Sequence, residues 1–193
     1  MSTSPKQFVS PSEYLERERK AENKAEYFAG EMFAMGEASR SHVRIVSNLV
    51  QILGPALRNT SCEVSSTDLK VFIPSTGLYT YPDVIVMCGP ENFQGEEQDV
   101  LLNPLVIFEV LSSSTQSYDR EHKFAMYRNI RSLQEYLTVA EDRQEIEQWV
   151  RRSDGDWVPA LHAGSNATIS MAAVDVSLAL GEVYRNVTLP LGD

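Results

Sequence analysis

Two acidic residues stand where the surrounding sequence disfavours charge. Asp83 opens the run Asp-Val-Ile-Val-Met, and Glu109 interrupts the apolar segment Leu105–Leu111, which predicts a strand buried on both faces. An unpaired carboxylate in such a strand would be strongly destabilising or would become protonated. We therefore expect each acid to have a compensating partner.

A divalent cation is the simplest such partner. Two carboxylates, a main-chain carbonyl such as that of Val110, and water make the oxygen-rich, incompletely filled site that Mg²⁺ prefers, and Mn²⁺ uses the same kind of ligand. The alternative is that either acid points outward from a sheet edge or pairs with an arginine. The two acids alone do not decide between a bound cation and an acid that faces solvent or pairs with an arginine.

A candidate helix follows the Glu109 strand and carries further chemistry. Asp119, Lys123 and Tyr127 are spaced i, i+4, i+8, so they share one helix face, and residues 112–116 form a short connection to that helix. Lys123 could then reach the carboxylates, steady an attacking water and neutralise charge on a phosphate. The alternatives are a surface ion pair between Asp119 and Lys123 and a packed helix tyrosine at position 127.

The elements that must position these residues can be predicted from capping and periodicity. Ser10 as N-cap, proline at the next position and a capping-box glutamate predict a helix over about Pro11–Glu22. Ala29-Gly30 between two short β-prone runs predicts a hairpin. A second helix begins behind Ser39 or Ser41, and Gly54-Pro55 kinks or ends it.

The remaining pattern predicts an α/β fold with a mixed sheet flanked by helices. The predicted strands cover residues 63–73, 81–87, 105–111 and 135–139, with a helix over 117–129 between the last two. Beyond Ala140 the pattern indicates a C-terminal hairpin over 145–151 and 157–161, a short strand near Ile169 and a final helix over about 178–184.

An ordered series of fragments resembles a known family, the Uma-two family, a branch of the PD-(D/E)XK superfamily of restriction-endonuclease-like nucleases. The resemblance spans roughly Val9 to Leu180. The matching fragments are Glu26–Glu31 with Gly30, His42, Tyr81-Pro82-Asp83-Val84, Phe108-Glu109-Val110-Leu111-Ser112, Asp119, Lys123, Tyr127 and Glu135-Tyr136.

The resemblance implies a restriction-endonuclease-like core in which Asp83 and Glu109 bind Mg²⁺ for phosphodiester hydrolysis. The superfamily's lysine lies two residues after its second acid, where this chain has Leu111, so the resemblance gives that role to Lys123. It also suggests that Glu26 and His42 border the site. Glu26 would be a third acid, and His42 a phosphate contact or proton shuttle, although hairpin stabilisation or helix capping would explain them equally well.

Composition predicts one globular domain over 1–193 with residues 1–8 as a flexible arm. No apolar run is long enough for a membrane span, and the N-terminus lacks a secretory pattern, so we expect a cytoplasmic protein. Cys62 and Cys88 are expected to be buried reduced thiols. The three histidines are scattered, which argues against a structural zinc site.

A formal charge of −10 argues against tight, non-specific DNA binding. Residues 40–58 hold three basic residues and no acid, and residues 117–131 hold four basic residues against two acids, so both stretches are either phosphate-binding islands or solvated helix faces.

Three functions are compatible with the sequence. The first is a metal-dependent nuclease acting on DNA as a homodimer. The second is a catalytically idle binding or regulatory module with the same fold, and the third is hydrolysis by paired carboxylates without metal.

Overall fold

The computed structural model describes residues 8–111 and 122–190, which form four helices and thirteen strands. The helices are α1 (Pro11–Glu18), α2 (Arg40–Leu57), α3 (Phe124–Tyr127) and α4 (Leu180–Val183). The strands are β1 (Ala25–Phe28), β2 (Glu31–Ala34), β3 (Cys62–Ser66), β4 (Lys70–Ile73), β5 (Leu78–Thr80), β6 (Val84–Cys88), β7 (Val100–Leu101), β8 (Val106–Leu111), β9 (Glu135–Ala140), β10 (Glu145–Arg151), β11 (Trp157–Ala163), β12 (Thr168–Met171) and β13 (Val176–Ala179).

A six-stranded mixed sheet, in the order β11-β10-β9-β8-β6-β3, forms the centre of the molecule. Strands β8 and β9 pair in parallel, and the other neighbours pair antiparallel. Every residue of β8 is buried, as the apolar run around Glu109 predicts. The α/β class with a mixed sheet flanked by helices is therefore confirmed.

The two faces of this sheet belong to different hydrophobic cores. Helix α2 packs its buried stripe, including Ile45, Leu49 and Leu53, against the face that carries Val84 and Phe108. Side chains alternate along a strand, so the odd-numbered positions of β6 and β8 face the opposite core. That second core contains Ile85, Ile107, side chains of α3 and side chains of a second sheet.

The second sheet is five-stranded, in the order β2-β1-β5-β4-β7. Its β1–β2 hairpin turns at Ala29 and Gly30, which both have positive φ (50° and 87°) as a tight two-residue hairpin turn requires. A Cβ at Gly30 would also lie 2.2 Å from a ring carbon of Phe8. The predicted hairpin is confirmed, and its register is fixed by the turn.

Three predicted elements differ from the structure. The single strand over 63–73 is wrong, because the chain leaves the central sheet after β3, turns at Thr67 with φ 53°, and enters the second sheet as β4. Helix α1 ends at Glu18 rather than near Glu22. Residues 176–179 form β13, paired with β12, so the last helix begins only at Leu180.

The expectation of reduced thiols is also wrong, since Cys62 and Cys88 are joined by a disulfide. They are direct partners in the antiparallel β3–β6 ladder, with Cα atoms 3.9 Å apart, and both side chains are only half-buried. Sheet pairing brings together two cysteines that lie 26 positions apart along the chain.

The helix expected over 117–129 is described only from His122 onward. A wider turn at His122 and Lys123 leads into α3. Asp119 lies outside the described residues. Within residues 8–111 and 122–190, no helix has the length and apolar character needed to cross a bilayer.

Candidate functional site

Asp83 and Glu109 come together through the register of two neighbouring strands. Val84 pairs with Phe108 at the end of the antiparallel β6–β8 ladder, so the next position places Asp83 opposite Glu109. Directly opposite residues share a face of the sheet, with Cβ atoms about 4.5–5.5 Å apart. Both acids also line one cavity.

Asp83 is held by contacts from three elements. Its Oδ1 lies 3.0 Å from Nε2 of His42, in the first turn of α2, and its Oδ2 accepts a hydrogen bond of 2.7 Å from the N–H of Val110. Its main-chain carbonyl accepts a hydrogen bond from the N–H of Thr67. The His42 and Asp83 side chains are 16% and 13% exposed, so the pair is largely shielded from solvent.

Glu109 is held by Tyr127 of α3 and by Lys123, which immediately precedes α3. The hydroxyl of Tyr127 donates a hydrogen bond of 2.7 Å to Oε1 of Glu109, and the ammonium of Lys123 lies 3.4 Å from the same oxygen. Burial, followed by the charge of Glu109, raises the pKa of Tyr127 well above its usual range. Tyr127 therefore keeps its proton and acts as a hydrogen-bond donor to the carboxylate.

Glu26, from the second sheet, completes the arrangement. Its Oε1 lies 2.9 Å from Nζ of Lys123 and accepts a hydrogen bond of 2.5 Å from Oγ1 of Thr80. Thr80 Oγ1 is 3.3 Å from the Tyr127 hydroxyl. Glu26, Lys123, Glu109, Tyr127 and Thr80 thus form a closed ring of polar contacts between the two sheets and α3.

This ring borders a cavity of about 560 Å³ that is open to solvent. Its wall holds more acids than cations and includes an apolar side contributed by β2 and the loop after it. The described residues that line it are Glu22, Asn23, Lys24, Glu26, Phe33, Ala34, Met35, Gly36, Glu37, Ala38, Ser39, His42, Thr67, Tyr81, Asp83, Glu109, Val110 and Lys123.

The structure therefore brings the sequence-predicted site residues into one place. Glu26, His42, Asp83, Glu109, Val110 and Lys123 all line the cavity, and Tyr127 contacts Glu109 from behind it. Leu111, at the position of the superfamily's lysine, is buried and apolar. The ammonium near Glu109 comes instead from Lys123, which is 6% exposed.

Sequence reasoning missed four residues of this region. Thr80 is a polar residue in an apolar segment, and Phe33 stands opposite Glu26 in the β1–β2 hairpin, so both carried a readable signal. Lys24 and Thr67 carried none, because they meet only through the fold. Lys24 donates a hydrogen bond to the main-chain carbonyl of Thr67, 43 positions away.

The donor set fits a hard divalent cation. Asp83 and Glu109 offer carboxylate oxygens at opposed positions beside a cavity that is open to solvent, and Mg²⁺ typically takes one or two carboxylates and retains several waters. Within the described ranges, no three His, Cys, Asp or Glu side chains are arranged as a metal-holding group. A cation here would therefore rely on the two acids, a main-chain oxygen and water, not on an all-protein cage.

Comparisons with known proteins agree with the α/β fold described above. The family model described as "Putative restriction endonuclease", Uma2, matches residues 11–181. Two proteins of Synechocystis sp., "Uncharacterized protein slr1290" and "Uncharacterized protein sll1609", are 35% and 32% identical over 93% and 87% of this chain and 93% and 95% of their own.

A solved structure is similar as well. The crystal structure of "a putative nuclease belonging to DUF820" from Anabaena variabilis superimposes with a TM-score of 0.73, covering 91% of this chain and 97% of that one at 16% identity. This likeness shows the fold, and the family match spans most of the chain. The protein is a member of the Uma2 family and has the fold of a restriction-endonuclease-like nuclease.

Proposed function

We propose that this protein is a Mg²⁺-dependent endonuclease that hydrolyses phosphodiester bonds in DNA. The observation that carries the proposal is the juxtaposition of Asp83 and Glu109 on one face of the central sheet, beside a cavity that also receives Lys123. Metal-assisted hydrolysis uses a divalent cation that the protein holds in an open site of this kind. The family and the fold support the nuclease class.

Asp83, Glu109 and the carbonyl of Val110 would hold the cation. When bound, Mg²⁺, or Mn²⁺ in its place, supplies positive charge and Lewis acidity at the scissile phosphate. The protein's own side-chain and main-chain groups would then fix the carboxylates. His42 and the N–H of Val110 orient Asp83, and Tyr127 orients Glu109.

Lys123 would supply the protein's own positive charge at the site. Its ammonium is within reach of Glu109 and is held in place by Glu26, so it can steady an attacking water and neutralise charge on the phosphate in the transition state. Glu26 thereby sets the position of Lys123. His42 contacts Oδ1 of Asp83, and from that position it can contact a phosphate or accept a proton.

One observation favours a second candidate, a catalytically idle member of the fold that acts as a binding module. Both carboxylate oxygens of Asp83 already have partners in His42 and Val110, and Lys123 is shared between two acids. This arrangement is complete without a cation. Metal binding decides between the two candidates.

We also propose an assembly and a location for the protein. A homodimer would give the two sites that cleavage of two DNA strands requires. We propose a cytoplasmic location for this dimer of single-domain chains, where the half-buried Cys62–Cys88 disulfide would be open to reduction.

The test uses the purified full chain and supercoiled plasmid DNA. We expect nicking that requires Mg²⁺ or Mn²⁺ and is lost in Asp83→Ala, Glu109→Gln and Lys123→Ala. Glu63→Gln is the matched control, because Glu63 is an exposed carboxylate on the edge strand β3. Nicking retained in all three site variants would exclude the mechanism.

Calorimetry with Mn²⁺ gives a readout that does not depend on turnover. We expect binding to the parent and to Glu63→Gln, and loss of binding in Asp83→Ala. Equal binding to the parent and to Asp83→Ala would remove the metal site. Absence of Mn²⁺ binding by a folded parent would support the idle module.

A further inference from the structure

We infer that the site takes an unpaired nucleotide, as part of a single strand or extruded from a duplex, with its base against Phe33. This inference rests on the proposed function and adds the conformation of the nucleic acid. It starts from the side of the cavity that the proposed hydrolysis does not use, the apolar side formed by Phe33, Ala34, Met35 and Ala38.

The hairpin register places Phe33 beside the charged ring. Phe33 is the direct antiparallel partner of Glu26, so the two side chains share a face of the hairpin with Cβ atoms about 4.5–5.5 Å apart. Glu26 in turn contacts Lys123, and Lys123 contacts Glu109. The ring of Phe33 is therefore linked through Glu26 and Lys123 to Glu109, one of the carboxylates at which we place the cation.

Two side chains on the apolar side of the cavity are unusually exposed for their type. Phe33 is 43% exposed and Met35 is 38% exposed, whereas the aromatic side chains of the neighbouring core, such as Tyr127 and Tyr136, are fully buried. An exposed aromatic ring on a cavity wall is a stacking surface for a nucleobase, because every base has a π-face. Unpaired bases present that face, and stacked base pairs do not.

The charges of the cavity also favour base stacking over a clamp on the phosphates of a duplex. Five acids line the cavity (Glu22, Glu26, Glu37, Asp83 and Glu109). The lysines on the described part of its wall already have acidic partners: Lys24 pairs with Asp68, and Lys123 pairs with Glu26 and Glu109. Duplex binding through phosphates requires basic groups that can replace counterions. The stacking of a base on an aromatic ring does not itself use basic groups.

The size of the cavity is consistent with one nucleotide. Pockets of about 300–1,000 Å³ enclose single small-molecule ligands, and this cavity is about 560 Å³. A base can enter such a pocket only from a single strand or after extrusion from the helix, as in enzymes that do chemistry on a base. The apolar side would hold the base while the acidic side, with its cation, holds the phosphate.

The test compares one fluorescein-labelled DNA oligonucleotide as a single strand and as a blunt duplex. Cleavage in Mn²⁺ is expected to be faster for the single strand. In Phe33→Ala, kcat/KM for the single strand should fall about tenfold, within the range that loss of one base stack produces. Phe33→Trp should retain the parent value. Leu161→Ala is the control, because Leu161 is 59% exposed on β11 and does not line the cavity.

Binding measured by fluorescence anisotropy in Ca²⁺, an oxygen-binding cation that takes the place of Mn²⁺ at the carboxylates, separates this inference from the proposed function. Weaker single-strand binding by Phe33→Ala, together with cleavage, supports both. Weaker binding without cleavage of any substrate supports the stacking site and overturns the nuclease. Cleavage of duplex as fast as single strand, with no effect of Phe33→Ala, overturns the stacking site and leaves the nuclease standing.

Discussion

The ammonium of Lys123 lies 2.9 Å from Oε1 of Glu26, and the two side chains are 8% and 11% exposed. This ion pair crosses from α3 to the second sheet. It is shorter than the 3.4 Å contact between Lys123 and Glu109. Glu26 therefore restrains the lysine and limits its hold on the carboxylate at which we place the cation.

We predict that Glu26→Gln weakens Mn²⁺ binding about tenfold, because the released ammonium then neutralises Glu109 and competes with the cation. Calorimetry measures this change. Glu16→Gln, an exposed acid on α1, is the control. In the double variant Glu26→Gln/Lys123→Met, binding should recover, since the competing charge is gone. Binding that stays weak in the double variant would make Glu26 a direct ligand of the cation.

A second prediction concerns the hydroxyl of Tyr127, which donates to Glu109 from a fully buried ring. Tyr127→Phe removes that donor, so we expect the free energy of unfolding to fall by about 1–3 kcal/mol. We also expect cleavage to slow about tenfold, because Glu109 loses a group that fixes its orientation. Urea denaturation and initial rates measure the two effects.

Tyr184→Phe is the matched control for that experiment. Tyr184 is also buried, and its hydroxyl bonds to the carbonyls of Ala140 and Glu145, away from the cavity. We expect a similar loss of stability with unchanged cleavage. Equal loss of cleavage in both variants would show that Tyr127 acts only through stability.

The two acids of the site could be predicted from sequence because they violate the pattern around them. Glu109 sits in a strand whose neighbours are all apolar, and its register with Asp83 follows once β6 and β8 pair antiparallel. Phe33 was predictable in principle, since a two-residue turn at Ala29-Gly30 sets Glu26 opposite it. The two acids and the hairpin turn are local signals that the sequence displays directly, whereas the register between β6 and β8 comes from the fold.

The parts that could not be predicted depend on contacts between distant segments. The chain changes sheets at Thr67, a β-branched residue with φ 53° and with no adjacent glycine or proline to signal the turn. The pairing of Cys62 with Cys88 needs the β3–β6 register. Likewise Thr80 meets Glu26, 54 positions away, only through the pairing of β5 with β1 in the second sheet.

A third prediction concerns a buried ion pair behind the site. Lys70 Nζ lies 2.8 Å from Oε2 of Glu18, with side chains 3% and 8% exposed, and the hydroxyl of Tyr81 donates to the other oxygen of Glu18. Lys70→Met leaves the acid uncompensated, which typically costs about 3–5 kcal/mol when the pair is buried. Urea denaturation should show this loss.

Lys20→Met is the control for Lys70→Met. Lys20 pairs with Glu16 on α1, but these side chains are 72% and 71% exposed, so we expect little or no loss of stability. The double variant Glu18→Gln/Lys70→Met should recover part of the stability, because it removes the unpaired charge. No difference between Lys70→Met and Lys20→Met would show that the buried pair contributes no more than the exposed one.

The last prediction concerns pH. Arg19 donates hydrogen bonds of 2.8 and 2.9 Å to the two carboxylate oxygens of Asp99, and this contact lowers the pKa of Asp99 below its ordinary value of 3.8. A depressed pKa in the folded state contributes stability above the unfolded value and loses it as the pH falls through the folded one. Asp99→Asn should therefore destabilise the protein at pH 7, and the difference from the parent should shrink below about pH 3.8. Urea denaturation across that range measures this difference. In an Arg19→Met background the pH dependence of the Asp99→Asn effect should be much reduced. An unchanged dependence would assign the depressed pKa to another neighbour, such as Lys70, whose Nζ lies 3.8 Å from Oδ2 of Asp99.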